Sequence, residues 1–244
     1  MERNNTILLA LLTGLFVVLT LHPGYADPTG SSIIYNNTAG TPSPAADSRA
    51  DARGTITTII LSATQQDQNW KGYVGNVTGV LSLDDASGNT LYDWQLTGGI
   101  SGEVYVTRAS GPDFSNVSCP GTIRNNVTAE HPLYNMTDTQ ADSINVTFND
   151  SNHQGFFVGS TEITADSCPS IATYINDTAQ TIDGTQSFQE VIILDNAANI
   201  VFTTIIDDNT AGFDNGIYDF QLIVPESDVN LTSTTYYFYT ELSG

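Results

Sequence analysis

Two cysteines, several clusters of acids and a series of asparagine acceptors are the residues here whose type and spacing could carry chemistry. Cys119 and Cys168 sit in matching settings, Ser118-Cys119-Pro120 and Ser167-Cys168-Pro169. In an exported chain an even cysteine count reads as one disulfide. Closing a loop of about 50 residues would restrict the unfolded chain by roughly 4 kcal/mol in the loop-entropy picture. The competing reading is two buried thiols. Zinc fits poorly, because His131 and His153 lack ligand spacing around the pair.

The acids invite a hard-cation reading. Asp207-x-Asn209-x-Ala211-Gly212 begins like a helix-flanked calcium loop, then departs at Ala211 and puts Tyr218 where a bidentate Glu should stand. A non-standard Ca2+ site on Asp207, Asp208 and Asp214 stays open, with Asp84, Asp85 and Asn89 as a second cluster. The plainer reading is that Asp, Asn and Gly make and solvate turns. No enzyme is expected. The chain has no Gly-x-Ser-x-Gly elbow, no His-Glu-x-x-His pair and no phosphate-cradling glycine loop. A glycosidase needs only two well-separated carboxylates, so a hydrolase would have to show itself as a cleft with close, perturbed acids.

The asparagines carry the clearest message. Asn-x-Ser/Thr, the N-glycosylation pattern, follows the leader at Asn36, Asn76, Asn116, Asn126, Asn135, Asn145, Asn149, Asn176 and Asn230. Each glycan would mark a solvent-facing position on an exported protein. Residues 1–26 read as the signal peptide. Arg3 lies at its start, residues 6–21 are apolar, and Gly24-Tyr25-Ala26 places small residues where a signal peptidase reads. An uncleaved anchor is the rival, although the stretch is short against the roughly 20 residues of a span. The expected location is secreted, extracellular or at the cell surface, with no membrane attachment after cleavage.

Charge narrows the partners. The formal net charge is -21, yet charged residues are only 14% of the chain, against about 25% in ordinary proteins. Bases are missing more than acids are added. Lys71 is the sole lysine, joined after the leader by Arg49, Arg53, Arg108 and Arg124. Nucleic acid and anionic membranes are therefore disfavoured, since both need clustered Lys/Arg.

The elements that must position these residues are strands. Residues 27–54 are rich in Pro, Gly, Ala, Ser and Asp, as flexible tails are. Residues 55–244 alternate short Val/Ile/Thr/Tyr/Phe runs with Gly/Asn/Asp turns, the pattern of one large β-sandwich, jelly-roll or immunoglobulin-like. Thr55-Ile56-Thr57-Thr58-Ile59-Ile60-Leu61 is expected to open it and Tyr236-Tyr237-Phe238-Tyr239 to close it. Residues 111–152, polar and bearing five acceptors, read as decorated loops or an edge hairpin.

An internal echo runs through this body. Residues 76–85 align without a gap on 199–208, and each is followed by a similar strand: Tyr92-Asp93-Trp94-Gln95-Leu96 and Tyr218-Asp219-Phe220-Gln221-Leu222. Alternation puts the aromatic residues and Leu on one face, with Asp and Gln on the other. The expectation is two equivalent hairpins with aromatic faces meeting in one core; chance convergence of similar strands is the alternative.

Within the tail, Ser32-Ile33-Ile34-Tyr35 is an apolar island. Ile33, Ile34 and Tyr35 form a candidate donor strand, able to enter the open sheet of a neighbouring copy and, repeated head to tail, to build a filament. Pairing with its own body or remaining an unstructured leader are the alternatives. Taken with the leader, the sequons and the Asp-Asp hairpins, this layout resembles secreted β-sandwich glycoprotein subunits of archaeal-type extracellular filaments and pili. The resemblance implies donor-strand complementation between identical subunits and heavy N-glycosylation, with no catalytic residues. The alternative function is a monomeric adhesin or carbohydrate-binding module, possible calcium dependence included.

Overall fold

Val191-Ile192-Ile193-Leu194 and Ile200-Val201-Phe202 are apolar without a break because their strands are buried on both faces. The structure, a computed structural model, describes residues 27–40, 45–94, 96, 99–121, 127–227 and 233–243. The leader and the acceptors Asn126 and Asn230 lie outside these residues. The protein is mostly β. Its main sheet is six-stranded and antiparallel, in the order β1 (Thr29–Gly30), β14 (Tyr237–Ser243), β5 (Ser101–Thr107), β10 (Ile200–Ile205), β9 (Gln189–Leu194), β8 (Ser170–Ala172).

Alternation along these strands divides the core in two. Val104, Val106, Ile192, Leu194, Ile200 and Phe202 point to one face. Tyr105, Val191, Ile193, Val201 and Ile205 point to the other. Over the first face lies a two-stranded sheet, β2 (Trp70–Gly75) with β13 (Phe220–Pro225), which presses Leu222 and Val224 into the core. Beside it lies an irregular layer formed by residues 127–148. Residues 111–152 are therefore more than decoration. They hold a 3-10 turn at His131–Tyr134 and a single helical turn at Ile144–Thr147, and they bury Val127, Tyr134, Met136, Ile144 and Phe148. Over the second face lies the hairpin of β6 (Phe156–Val158) and β7 (Thr161–Ile163), together with Val117 and Cys168.

Two expectations are overturned. The echoed segments are not equivalent hairpins. β10 pairs with β5 and β9 in the middle of the main sheet, whereas the first segment gives β3 (Leu81–Asp84) and β4 (Thr90–Trp94), a separate hairpin with Leu83, Tyr92 and Trp94 exposed. The turn after β10 makes the short pair β11 (Thr210–Ala211) and β12 (Ile217–Tyr218) before β13 begins. Nor do residues 55–61 open the domain as a strand. They run irregularly through solvent, the least open of their large side chains being Ile59 at 57%.

Candidate functional site

The N-terminal region meets the body at the edge of the main sheet. Thr29 and Gly30 sit opposite Thr240 and Tyr239, the Ser31 amide donates to the Phe238 carbonyl at 2.9 Å, and the Ser31 and Thr240 hydroxyls lie 2.5 Å apart. β1 thus covers only a few residues of β14. Beyond it, Ile33 borders a hollow of about 250 Å3 lined also by Tyr236, Tyr237, Phe238 and Tyr239. Ile33, Ile34 and Tyr35 are nevertheless largely in water. The pairing of this tail with its own body falls on Thr29–Gly30, upstream of the candidate donor residues.

A second edge is open. β2 is paired on one side by β13, and among the described residues no strand pairs with its other side. The core is unfinished nearby. Tyr73 meets Phe238 edge-on with ring centres 5.1 Å apart, and Tyr73, Phe238, Val77, Ile100 and Leu242 are only partly buried. β2 itself is held firmly. The Trp70 indole donates to the Asp142 carbonyl at 2.7 Å. At its other end the Asp219 carboxylate accepts the amides of Val77 at 2.8 Å and Asn209 at 2.9 Å. Asp219 is buried, as is Gln221, whose side-chain oxygen accepts the Phe213 amide. The face assigned to solvent by alternation is thus an inner face at Asp219 and Gln221, with Asp219 satisfied by backbone amides and the Gln221 amide nitrogen donating to the Tyr174 carbonyl and the Thr173 hydroxyl.

The acids proposed for calcium each serve a different neighbour. Asp207 accepts the Phe188 amide at 2.5 Å, Asp208 binds the Asn209 side chain at 2.9 Å, and Asp214 accepts the Gly216 amide and the Tyr218 hydroxyl. Asp85 is engaged likewise by Ser87 and Asn89. The bonds of Asp208, Asp214 and Asp85 are local turn bonds of the kind Asp makes routinely, whereas Asp207 reaches across to Phe188, just ahead of β9. No group of three or more metal-ligating side chains converges among the described residues.

Sequence reading missed a pair of buried glutamates. Glu103 on β5 and Glu241 on β14 are direct cross-strand partners, 7% and 1% exposed. The Tyr105 hydroxyl lies 3.0 Å from Glu241 and 3.5 Å from Glu103, and the Gly159 amide donates to Glu241 at 3.0 Å. Burial foremost, then the Glu241 charge, pushes the Glu103 carboxyl up to about 8. Burial also raises Glu241, against the bonds from Gly159 and Tyr105. Such a pair is what a hydrolase would need in a cleft. Here neither carboxylate borders the hollow lined by Arg108 and Glu130 or the one lined by Ile33 and Tyr237. Glu190 is buried too; burial holds it far above the usual carboxylate range. The available signal was an acid at an inward position of an apolar strand, as in Gly102-Glu103-Val104 and Gln189-Glu190-Val191.

Cys119 and Cys168 are bonded, with Cα atoms 5.0 Å apart. His153 organises this joint. Its Nδ1 lies 2.7 Å from the Gln154 carbonyl, so Nε2 is the acceptor for the amides of Ser167 at 3.1 Å and Cys168 at 3.0 Å. His131 pairs with Asp138 instead, at 2.9 Å. Of the described acceptors, Asn36, Asn76, Asn116, Asn135, Asn149 and Asn176 are exposed, while Asn145 is half-buried with its Nδ2 donating to the Asp138 carbonyl. Among the described residues no helix is long and apolar enough to cross a membrane. The disulfide fits an oxidising compartment.

No family model, curated protein or solved structure matches this chain.

Proposed function

We propose that this chain is a structural subunit of an extracellular filament or cell-surface assembly, N-glycosylated and joined head to tail by strands donated from its N-terminal region. One observation carries the reading. Two apolar, strand-forming runs, around Ile33 and around Ile59, lie unpaired in water in the same chain as a body with an open strand edge. Exposed edges and unpaired strands are costly to keep apart, because each templates the other. Donor and acceptor on one chain, not closing on themselves, give an open filament. On this view the body is a β-sandwich with an unfinished second sheet. The resemblance to archaeal-type filament subunits points the same way, and the disulfide agrees with life outside the cell. Light scattering of the mature protein tests the reading through concentration-dependent growth of long particles; a constant monomer mass over the full concentration range would reject it.

A second reading rests on Tyr92 and Trp94. They are exposed on one face of the β3–β4 hairpin, with ring centres 5.1 Å apart. Paired aromatic faces can stack on sugars, so a monomeric adhesin or carbohydrate-binding module is the alternative. Glycan binding by monomer, lost in Trp94→Ala, would favour it.

A further inference from the structure

The geometry points to residues 55–61, rather than Ile33, Ile34 and Tyr35, as the donated strand, and to the open edge of β2 in a second copy as its seat. This rests on the assembly reading above and names its joint. Thr55-Ile56-Thr57-Thr58-Ile59-Ile60-Leu61 is made almost wholly of β-branched residues, which stiffen extended backbone and fit a pleated sheet. In strand form it sends Ile56 and Ile60 to one face and Ile59 and Leu61 to the other. Such a strand is apolar on both sides. It suits an interior position and is out of place in water, where all four side chains now lie.

β2 offers the matching vacancy. Tyr73 faces the core on one side of the strand, Val74 is 39% exposed on the other, and among the described residues no strand pairs with the edge of β2 that faces away from β13. A strand added there would extend the β2–β13 sheet, cover the partly buried Tyr73, Val77, Phe238 and Leu242, and receive apolar contact on both faces. The island at Ile33 is less suited to this. It is four residues long and lies just past Thr29–Gly30, which its own β14 already holds. With the anchorage at residues 29–31 on one side and the start of β2 at Trp70 on the other, the apolar run 55–61 is offered outward between two fixed points. The occupant is a second copy because the run and its own β2 are separated by only residues 62–69, yet remain unpaired in the monomer.

Hydrogen exchange on assembled and dilute protein, with two double variants, tests the joint. Assembly should slow exchange of the amides of residues 56–61 and of β2 by at least tenfold, while those of residues 33–35 stay fast. Ile59→Asp with Ile60→Asp should abolish filaments and leave the disulfide and the β circular-dichroism signal intact. Ile33→Asp with Ile34→Asp should leave filaments in place. Filaments that survive the first variant but not the second, or protection confined to residues 33–35, would overturn the donor assignment while leaving the assembly reading standing. Protection of residues 56–61 in dilute monomer would overturn it in favour of an internal hairpin. Wild-type protein that never assembles would overturn both.

Discussion

Glu103 and Glu241 stand directly opposite each other on β5 and β14, both buried, with the Tyr105 hydroxyl between them. Two like charges so placed in a poorly solvated site oppose each other, and a shared proton relieves the repulsion. A neutral Glu103 keeps its proton and can donate a hydrogen bond to the Tyr105 oxygen, while the Tyr105 hydroxyl donates to Glu241.

Stability should therefore fall as pH rises. Folded Glu103 titrates near 8, against 4.5 for the ordinary carboxyl. Between those values the folded chain holds a proton that the unfolded chain has lost. The contribution is complete below about 4.5 and is lost as pH climbs through about 8, by up to ~1.4 kcal/mol per pH unit for one proton. Glu190 and Glu241 are shifted the same way. Melting temperature should drop between pH 5 and pH 8, and Glu103→Gln should flatten that slope and raise the melting temperature at pH 8. A wild-type melting temperature that rises over this range would refute the account of the pair.

The disulfide joins positions 49 residues apart. Replacing both Cys119 and Cys168 by Ala should lower unfolding stability by roughly 4 kcal/mol, chiefly by releasing the unfolded chain. Denaturant titration reads this directly. A loss below about 1 kcal/mol would mean that the unfolded chain is already restricted there.

His153 should matter as an acceptor. His153→Phe leaves the Ser167 and Cys168 amides without their partner, at a cost of about 1–3 kcal/mol, with no loss of the disulfide. Unchanged stability would show that water replaces the ring.

The two apolar runs show what sequence could and could not settle. Matching Ser-Cys-Pro settings made the disulfide legible, the Ile200-Val201-Phe202 run of the echo marked β10, and the aromatic run Tyr236-Tyr237-Phe238-Tyr239 marked β14. The echo misled because period-2 alternation gives the two faces without saying which is buried. Asp219 reads as solvent-facing, yet two backbone amides satisfy it inside. Residues 55–61 read as a strand because their composition is right; whether a strand forms depends on an edge supplied from elsewhere, and composition carries no record of that edge. The buried glutamates were missed for the same reason, since cross-strand register is a non-local property.

Glycan occupancy should follow exposure. Native-host glycopeptides should carry sugar at Asn116, Asn135 and Asn149, and less at Asn145, whose amide is half-buried against Asp138. Bare asparagines at all of these positions in native material would remove glycosylation from the account.

The central claim is assembly, and electron microscopy of mature protein from its native source addresses it most directly. The account predicts unbranched filaments of constant width with a repeat of one subunit, dissolving into folded, disulfide-bonded monomers. Fields of isolated particles of single-chain size at every concentration, with no filaments on the cell surface, would contradict it.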